Sequence, residues 1–379
     1  MSNKFSRPAF FWLIPLVTLN LAPAIAADKS AAADSDWVAH NPIHLRTDTI
    51  ASKPRGYSPA QMRHAYGVDQ VPLTGAGQTI ALVDAIGSPT IQHDLDVFSS
   101  TYGIPSAKIN IVYPQGNPRS PNTGWAQETS LDVEWAHAIA PGANIMLVVA
   151  KGAGMRELIN AVGYAASNGA TQISMSWGGF ERPSESNHDS LFSKSGVMFI
   201  AASGDNGPIA LWPASSPRVV GVGGTTLTLD TNGVIVTETA WQGSGGGQSR
   251  YEPRPTFQNG WQTSSQRGIP DVSYNADPMT GVSIYLSAGL QPGWITVGGT
   301  SAGSPQVAAI LALANSGRSS LLGDPNTALY NIASARYALY FNDIKQGGNR
   351  GFSAGPGYDF VTGLGSPLCN LLIPALVVH

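Results

Sequence analysis

The chain predicts an α/β fold, a mainly parallel central sheet with helices on both faces. Three observations predict it. Short, wholly apolar runs such as TIALVD (79–84) and NIMLVVA (144–150) read as strands buried on both faces. Longer segments with helical spacing alternate with them. Gly and Pro punctuate the junctions, as crossover connections in a layered α/β domain require.

The elements follow in order. Lys4 and Arg7 precede an apolar run that is broken by Pro15, Asn20 and Pro23 and ends at Ala24-Ile25-Ala26. A basic start, a short apolar stretch and an A-x-A exit describe a secretory signal peptide over 1–26, cut after Ala26. The breaks disfavour a spanning helix, and with no Cys near the cut no lipid anchor is expected. Residues 27–55 are small and polar, a linker or short leader that by position can lie across a binding crevice as an inhibitor. The remainder, 56–379, is expected to be one domain. SPAQMRHAYG opens it as a helix, with Ser58 as cap and Pro59 in the first turn. Residues 124–142 have helical spacing and stop at Pro141-Gly142; 155–169 form a helix that stops at Asn168-Gly169. QISMSW (172–177), VMFIAAS (197–203) and VVGVGGT (219–225) are further strands. Residues 226–297 read as loops and hairpins, and 305–316 as a buried helix. Ligands of such sheets bind beyond the carboxyl ends of the strands, so the loops after Asp84, Trp177 and Ser203 should share one crevice.

Composition narrows the function. Net charge is only -3, and 12% of residues are charged, about half the usual share. Without a basic run, nucleic acid is not an expected partner. Few carboxylates also mean that acid changes the surface charge little. The lone Cys369 cannot form an internal disulfide, has no adjacent His, and reads as a small apolar core residue.

One stretch carries chemistry. In GGTSAGSPQVAAILALA (298–314), Ser301 sits in a glycine-rich turn before a helix. A serine hydroxyl needs a base to become a nucleophile. None of the seven histidines, at 40, 44, 64, 93, 137, 188 and 379, has the setting of a catalytic base at the start of a helix. The alternative base lies in QETSLDVEW, where Glu128 and Asp132 are four apart and share one helix side. Like charges placed together raise a carboxyl pKa and let one proton be shared. Each residue has a plainer reading too: a solvated acidic face for Glu128 and Asp132, a helix cap for Ser301.

ETSLDVEW, ASGDNG and GGTSAGSP, in that order, resemble the sedolisins, serine-carboxyl peptidases with a subtilisin-like fold. GYSPAQMRHAYG, SMSWGG, WPASSPRVVGVGGTTL, SGGGQS and AGPGYDFVTGLGSP extend the resemblance over roughly 56–368. It implies a three-layer subtilisin-like architecture and an acid-acting serine-type endopeptidase of protein or peptide substrates. It implies Ser301 as nucleophile, Glu128 as general base and Asp132 as the group orienting Glu128. Asp205 would take the oxyanion position, where only its protonated form can donate a hydrogen bond; otherwise it is a turn residue before Asn206-Gly207. Asp84 and Trp177 would support the carboxyl pair. SMSWGG and SGGG would pair with an extended substrate.

The resemblance further implies one structural calcium ion. Its ligands would be the Asp343 and Asp359 carboxylates and the carbonyls of Ile344, Gly355 and Gly357, set in an oxygen-rich, glycine-rich loop that suits a hard cation. The segment between Ile344 and Gly355 is short for the family, and a plain glycine-rich turn is the alternative. Sedolisins carry a large N-terminal prodomain; here residues 27–55 stand in its place. A monomer is expected. The competing function is a catalytically silent homologue that binds peptides or surface partners; an esterase is the weaker alternative, since the context of Ser301 is not that of a nucleophile elbow.

Overall fold

Seven residues of alternating packing explain the centre of the molecule. In β1 (Thr79–Ala85), Ile80 and Leu82 enter one buried cluster while Ala81, Val83 and Ala85 enter the other. β3 (Asn144–Ala150) divides in the same way, with Leu147 to one side and Val148 to the other. A strand apolar on both faces belongs at the centre of a covered sheet. The structure is a computed structural model that describes Met1, residues 37–46, 50–289 and 291–379. The expected signal peptide over 1–26 lies outside the described residues apart from Met1.

The remaining strands of the sheet are β2 (Asn110–Val112), β4 (Gln172–Met175), β5 (Met198–Ala202), β6 (Val220–Leu229), β7 (Ile235–Ala240) and β8 (Val272–Asn275). Their order is β7-β6-β5-β4-β1-β3-β2, with β8 also paired to β6. Every pairing is parallel except β7 with β6. A separate ribbon contains β9 (Gly293–Gly298), antiparallel to Val282–Leu286 on one edge and to His44–Leu45 on the other.

The helices are α1 (Pro59–Ala65), α2 (Ile91–Tyr102), α3 (Thr123–Ile139), α4 (Met155–Ser167), α5 (Thr300–Ser316), α6 (Pro325–Tyr340) and α7 (Cys369–Val378). Ser58 caps α1 in a reciprocal box with Gln61. Residues of α2, α3, α5 and α7 fill one cluster, and the apolar stripe of α4 fills the other. This is the predicted architecture. Cys369 is fully buried with a thiol pKa raised by burial, as an inert core residue should be.

The differences are local. α5 begins at Thr300, five residues before the expected start, so Ser301 lies inside the first turn. Pro305 therefore sits within the helix and deprives the Ser301 carbonyl of its intrahelical donor. β6 continues to Leu229 because β7 pairs with its second half. Helices α2, α6 and α7 fall in stretches given no element from sequence. Part of the supposed leader is built into the fold, since residues 37–46 run along the crevice and His44–Leu45 add an edge strand.

Candidate active site

Asn122 caps α3 by accepting from the Trp125 N–H at 3.0 Å. The helix then carries Glu128 and Asp132 to one side, and both are completely buried, which removes the solvated-face alternative. α5 packs against α3 and brings Ser301, also fully buried, opposite Glu128. Gly299 makes this approach possible. Its φ of 117° is left-handed, and a Cβ there would lie 2.0 Å from the Pro42 carbonyl oxygen. Because Gly299 holds the cap position, Ser301 is not a helix cap, and its hydroxyl is left for other work.

Buried polar atoms normally find partners. Here Ser301 Oγ, both oxygens of Glu128, both of Asp84 and Asp132 Oδ2 make no hydrogen bond of good geometry. Burial raises the Glu128 pKa well above the usual range, the Asp84 charge raises it further, and the facing Ser301 hydroxyl partly offsets the rise. Burial, then Asp84 and Glu128, does the same to Asp132, against a 2.7 Å bond donated by Ser176 Oγ. Burial lifts Asp84 to about 7. Three carboxyls thus share a dry space that cannot hold three negative charges. Asp132 is placed to hold a proton between Asp84 and Glu128.

Asp205 lies beyond the end of β5, where parallel sheets bind ligands. Its Oδ1 accepts from the Thr300 N–H at 2.9 Å and the Thr300 hydroxyl at 2.8 Å, and Thr300 Oγ1 accepts from the Gly204 N–H at 3.0 Å. Asp205 lies in a bend, as the turn alternative expects, and its side chain is also tied to the start of α5. Burial raises its pKa and His44 opposes the rise. His44 Nε2 stands 3.0 Å from Asp205 Oδ2, and that contact raises the His44 pKa. The Ser301 N–H donates to the Pro42 carbonyl at 3.3 Å, and Asn41 reaches Glu128. Asn41, Pro42 and His44 were not legible as site residues, because they lie in a stretch without periodicity. Ser176 and Thr300 were hidden next to motif residues.

The three predicted loops do share a crevice. Trp177 Nε1 donates to the Val83 carbonyl at 2.8 Å, tying the end of β4 to the end of β1 beside Asp84. His137, although on α3, is buried with Nε2 2.7 Å from the Pro105 carbonyl.

Of the five expected calcium ligands, the structure brings two together. Tyr337 Oη donates to Asp343 Oδ1 at 3.0 Å and to the Gly357 carbonyl at 3.3 Å, so two of the five expected oxygens converge on one hydroxyl. The Lys345 amine stands 3.3 Å from Asp343 Oδ2, a cation in a cation's place. Asp359 differs: its two oxygens accept from the N–H groups of Val361, Thr362 and Gly355. Ile344 is buried nearby. Among the described residues no group of three His, Cys, Asp or Glu side chains could hold a metal.

The chain resembles known proteins over most of its length. A profile described as Subtilase family matches residues 103–329. The chain is 31% identical to Kumamolisin of Bacillus sp. (strain MN-32), covering 86% of this chain and 65% of that one. It is 30% identical to Sedolisin of Pseudomonas sp. (strain 101), covering 83% and 60%. It therefore spans somewhat less than two thirds of the length of these relatives. A solved structure, Pseudomonas sedolisin (serine-carboxyl proteinase) complexed with two molecules of pseudo-iodotyrostatin, superposes with a TM-score of 0.76 at 28% identity, covering 85% of this chain and 98% of that one.

Proposed function

The chain belongs to the subtilase family, in its sedolisin branch, and on that footing we propose that it is an acid-acting serine-carboxyl endopeptidase. The observation that carries this reading is Ser301 facing a buried Glu128 while its own N–H holds a peptide carbonyl.

In this reading Ser301 Oγ attacks the carbonyl of the substrate. With the shared proton resting on Asp132 or Asp84, ionised Glu128 takes the hydroxyl proton and later gives it to the departing amine. Asp132, fixed by Ser176, keeps Glu128 oriented and stores a proton beside it. The developing oxyanion is met by the Ser301 N–H and by Asp205, which donates only when protonated. One protonation then serves two ends: it turns Asp205 into a donor and dissolves its pairing with His44.

Residues 37–46 act as an occluding leader in the same scheme. Chain enters on one side of Pro42 and leaves on the other, so the cleft is open at both ends, which supports endopeptidase action. Calcium would be held by Asp343 and Asp359 with the carbonyls of Ile344, Gly355 and Gly357, and would brace the loop before α7. The N-terminal pattern supports secretion, to a periplasm or outside the cell, with peptides or proteins as partners. No helix among the described residues is long and apolar enough to cross a membrane.

The test is casein hydrolysis from pH 2 to 8 by the wild type, Glu128→Ala and Ser301→Ala. Hydrolysis confined to acid and lost in both variants is expected. Folded wild-type protein that cleaves nothing at any pH, with calcium supplied, would leave only the silent, peptide-binding homologue.

A further inference from the structure

Residues 37–46 do more than fill the crevice, because they lie in it in a defined register. His40 and Gly178 exchange both backbone bonds, at 2.9 and 3.1 Å, as neighbours in an antiparallel ladder do. On the other side of Pro42, His44 pairs with Gly298, and the Arg46 N–H donates to the Thr296 carbonyl at 2.9 Å. Between these ladders the Pro42 carbonyl rests on the Ser301 N–H. The Pro42–Ile43 bond is therefore the one presented to the nucleophile, and each residue before it marks a subsite.

Trp37, the sixth residue on the N-terminal side of that bond, is the largest side chain in this stretch and is only 3% exposed. Its neighbour Val38 faces outward while Ala39 is buried, the alternation of a strand. The Ala39 N–H donates to the Ala153 carbonyl at 2.8 Å, which holds this part of the segment between the 153–154 turn and the Gly178 edge. The indole of Trp37 meets Trp177 edge-on at 6.3 Å and Trp212 at 5.8 Å between ring centroids. Its Nε1 donates to the Phe180 carbonyl at 3.2 Å. Gly179 forms the floor, and a Cβ there would come within 2.4 Å of the indole. This is a walled, apolar socket with one hydrogen-bond acceptor at its rim, a fit for an aromatic side chain bearing an N–H.

We infer that the cleft has a specificity subsite for tryptophan six residues before the scissile bond, built by Trp177, Trp212, Gly179 and the Phe180 carbonyl. Trp37 fills it in the occluded chain, and an extended substrate with an aromatic residue at that position fills it in turnover. The inference rests on the peptidase reading for its use in catalysis, but not for the socket itself.

Full-length Trp37→Ala protein, whose socket is vacated, tests it. The substrates are two quenched decapeptides built on residues 37–46, with Leu replacing the proline, that differ only in Trp or Ala at the first position. The Trp peptide should be cleaved with about tenfold higher kcat/KM, the ratio that about 1.4 kcal/mol of aromatic seating gives. Gly179→Ala added to the same chain should erase the ratio. Equal kcat/KM for the two peptides in Trp37→Ala would overturn the subsite. If neither peptide is cleaved from pH 3 to 8, even at the several-millimolar concentrations that match the tethered segment, the peptidase reading falls. The socket is then read by fluorescence anisotropy of the labelled peptides on Trp37→Ala/Ser301→Ala, where tenfold tighter binding of the Trp peptide supports it and equal binding refutes it.

Discussion

Among the regions that bury ionisable groups completely, two treat them in opposite ways. Around Arg267 and Asp271, nearly every polar atom is matched. Asp271 accepts from Arg267 at 2.8 Å, from the Tyr330 hydroxyl at 3.0 Å and from the Gly221 N–H at 2.8 Å, and Arg267 also reaches the Val219 carbonyl. Around Glu128, Asp132 and Asp84 there is no cation among the described residues, and several oxygens lack partners. The first arrangement stitches the start of β6 to α6 and to the 266–271 segment. The second stores unmet hydrogen-bonding capacity, and only a proton or a substrate relieves it. A buried charge that is fully satisfied marks structure; one left unsatisfied marks work.

The contrast can be broken or sharpened by measurement. The largest effect is expected at the unsatisfied site: Ser301→Ala or Glu128→Gln should lower kcat/KM on a peptide substrate by about ten-thousand-fold with little change in stability. Retention of activity in Glu128→Gln would transfer the base role elsewhere. Next comes the satisfied site, where Asp271→Ala strands Arg267 in the core. A loss of about 3–5 kcal/mol in urea unfolding is expected, and a neutral result would show that water reaches the guanidinium.

The pH dependence of stability should be smaller. Asp84, Glu128 and Asp132 all have folded pKa values raised above their unfolded ones. Such groups cost nothing below the unfolded value near pH 4, and destabilise progressively as pH rises through the folded value, about 7 for Asp84. Unfolding free energy should therefore fall by a few kcal/mol, about 2 or more, between pH 4 and 8, and Asp84→Asn should flatten the curve. A flat wild-type profile would mean that the carboxyls are not desolvated. The smallest effect is expected for chelation with EGTA, a fall of a few degrees in Tm, about that of 1 kcal/mol. Its absence in Asp343→Ala but not in the wild type would place the ion at that loop.

Much of the fold was legible because its central strands are apolar on both faces and bounded by glycines; 144–150 matches β3 residue for residue. Ser301, Glu128 and Asp132 were legible because each lies in a patterned stretch, and packing α3 on α5 joined them. Burial of Glu128 was not, since local spacing is the same for a wet and a dry helix face. α6 and α7 were missed because their apolar residues follow no clean period around Pro325 and Pro374. That residues 27–55 can cross the crevice was read from their position, but the register of 37–46 was not, because its order comes from pairing with Gly178 and Gly298, more than a hundred residues away in sequence.

In the proposed scheme, the pairing of residues 37–46 with the crevice has a consequence for how the molecule would be switched. The segment joins the domain directly, so the crevice faces a ligand held at an effective concentration of about millimolar, fixed by the tether rather than by the solution. Dilution cannot dislodge it, and a free peptide at micromolar levels competes at a disadvantage of about a thousandfold. Relief has to come from within the chain, by severing the tether or by protonating Asp205 beneath His44, so the timing of exposure is set by surroundings and not by abundance.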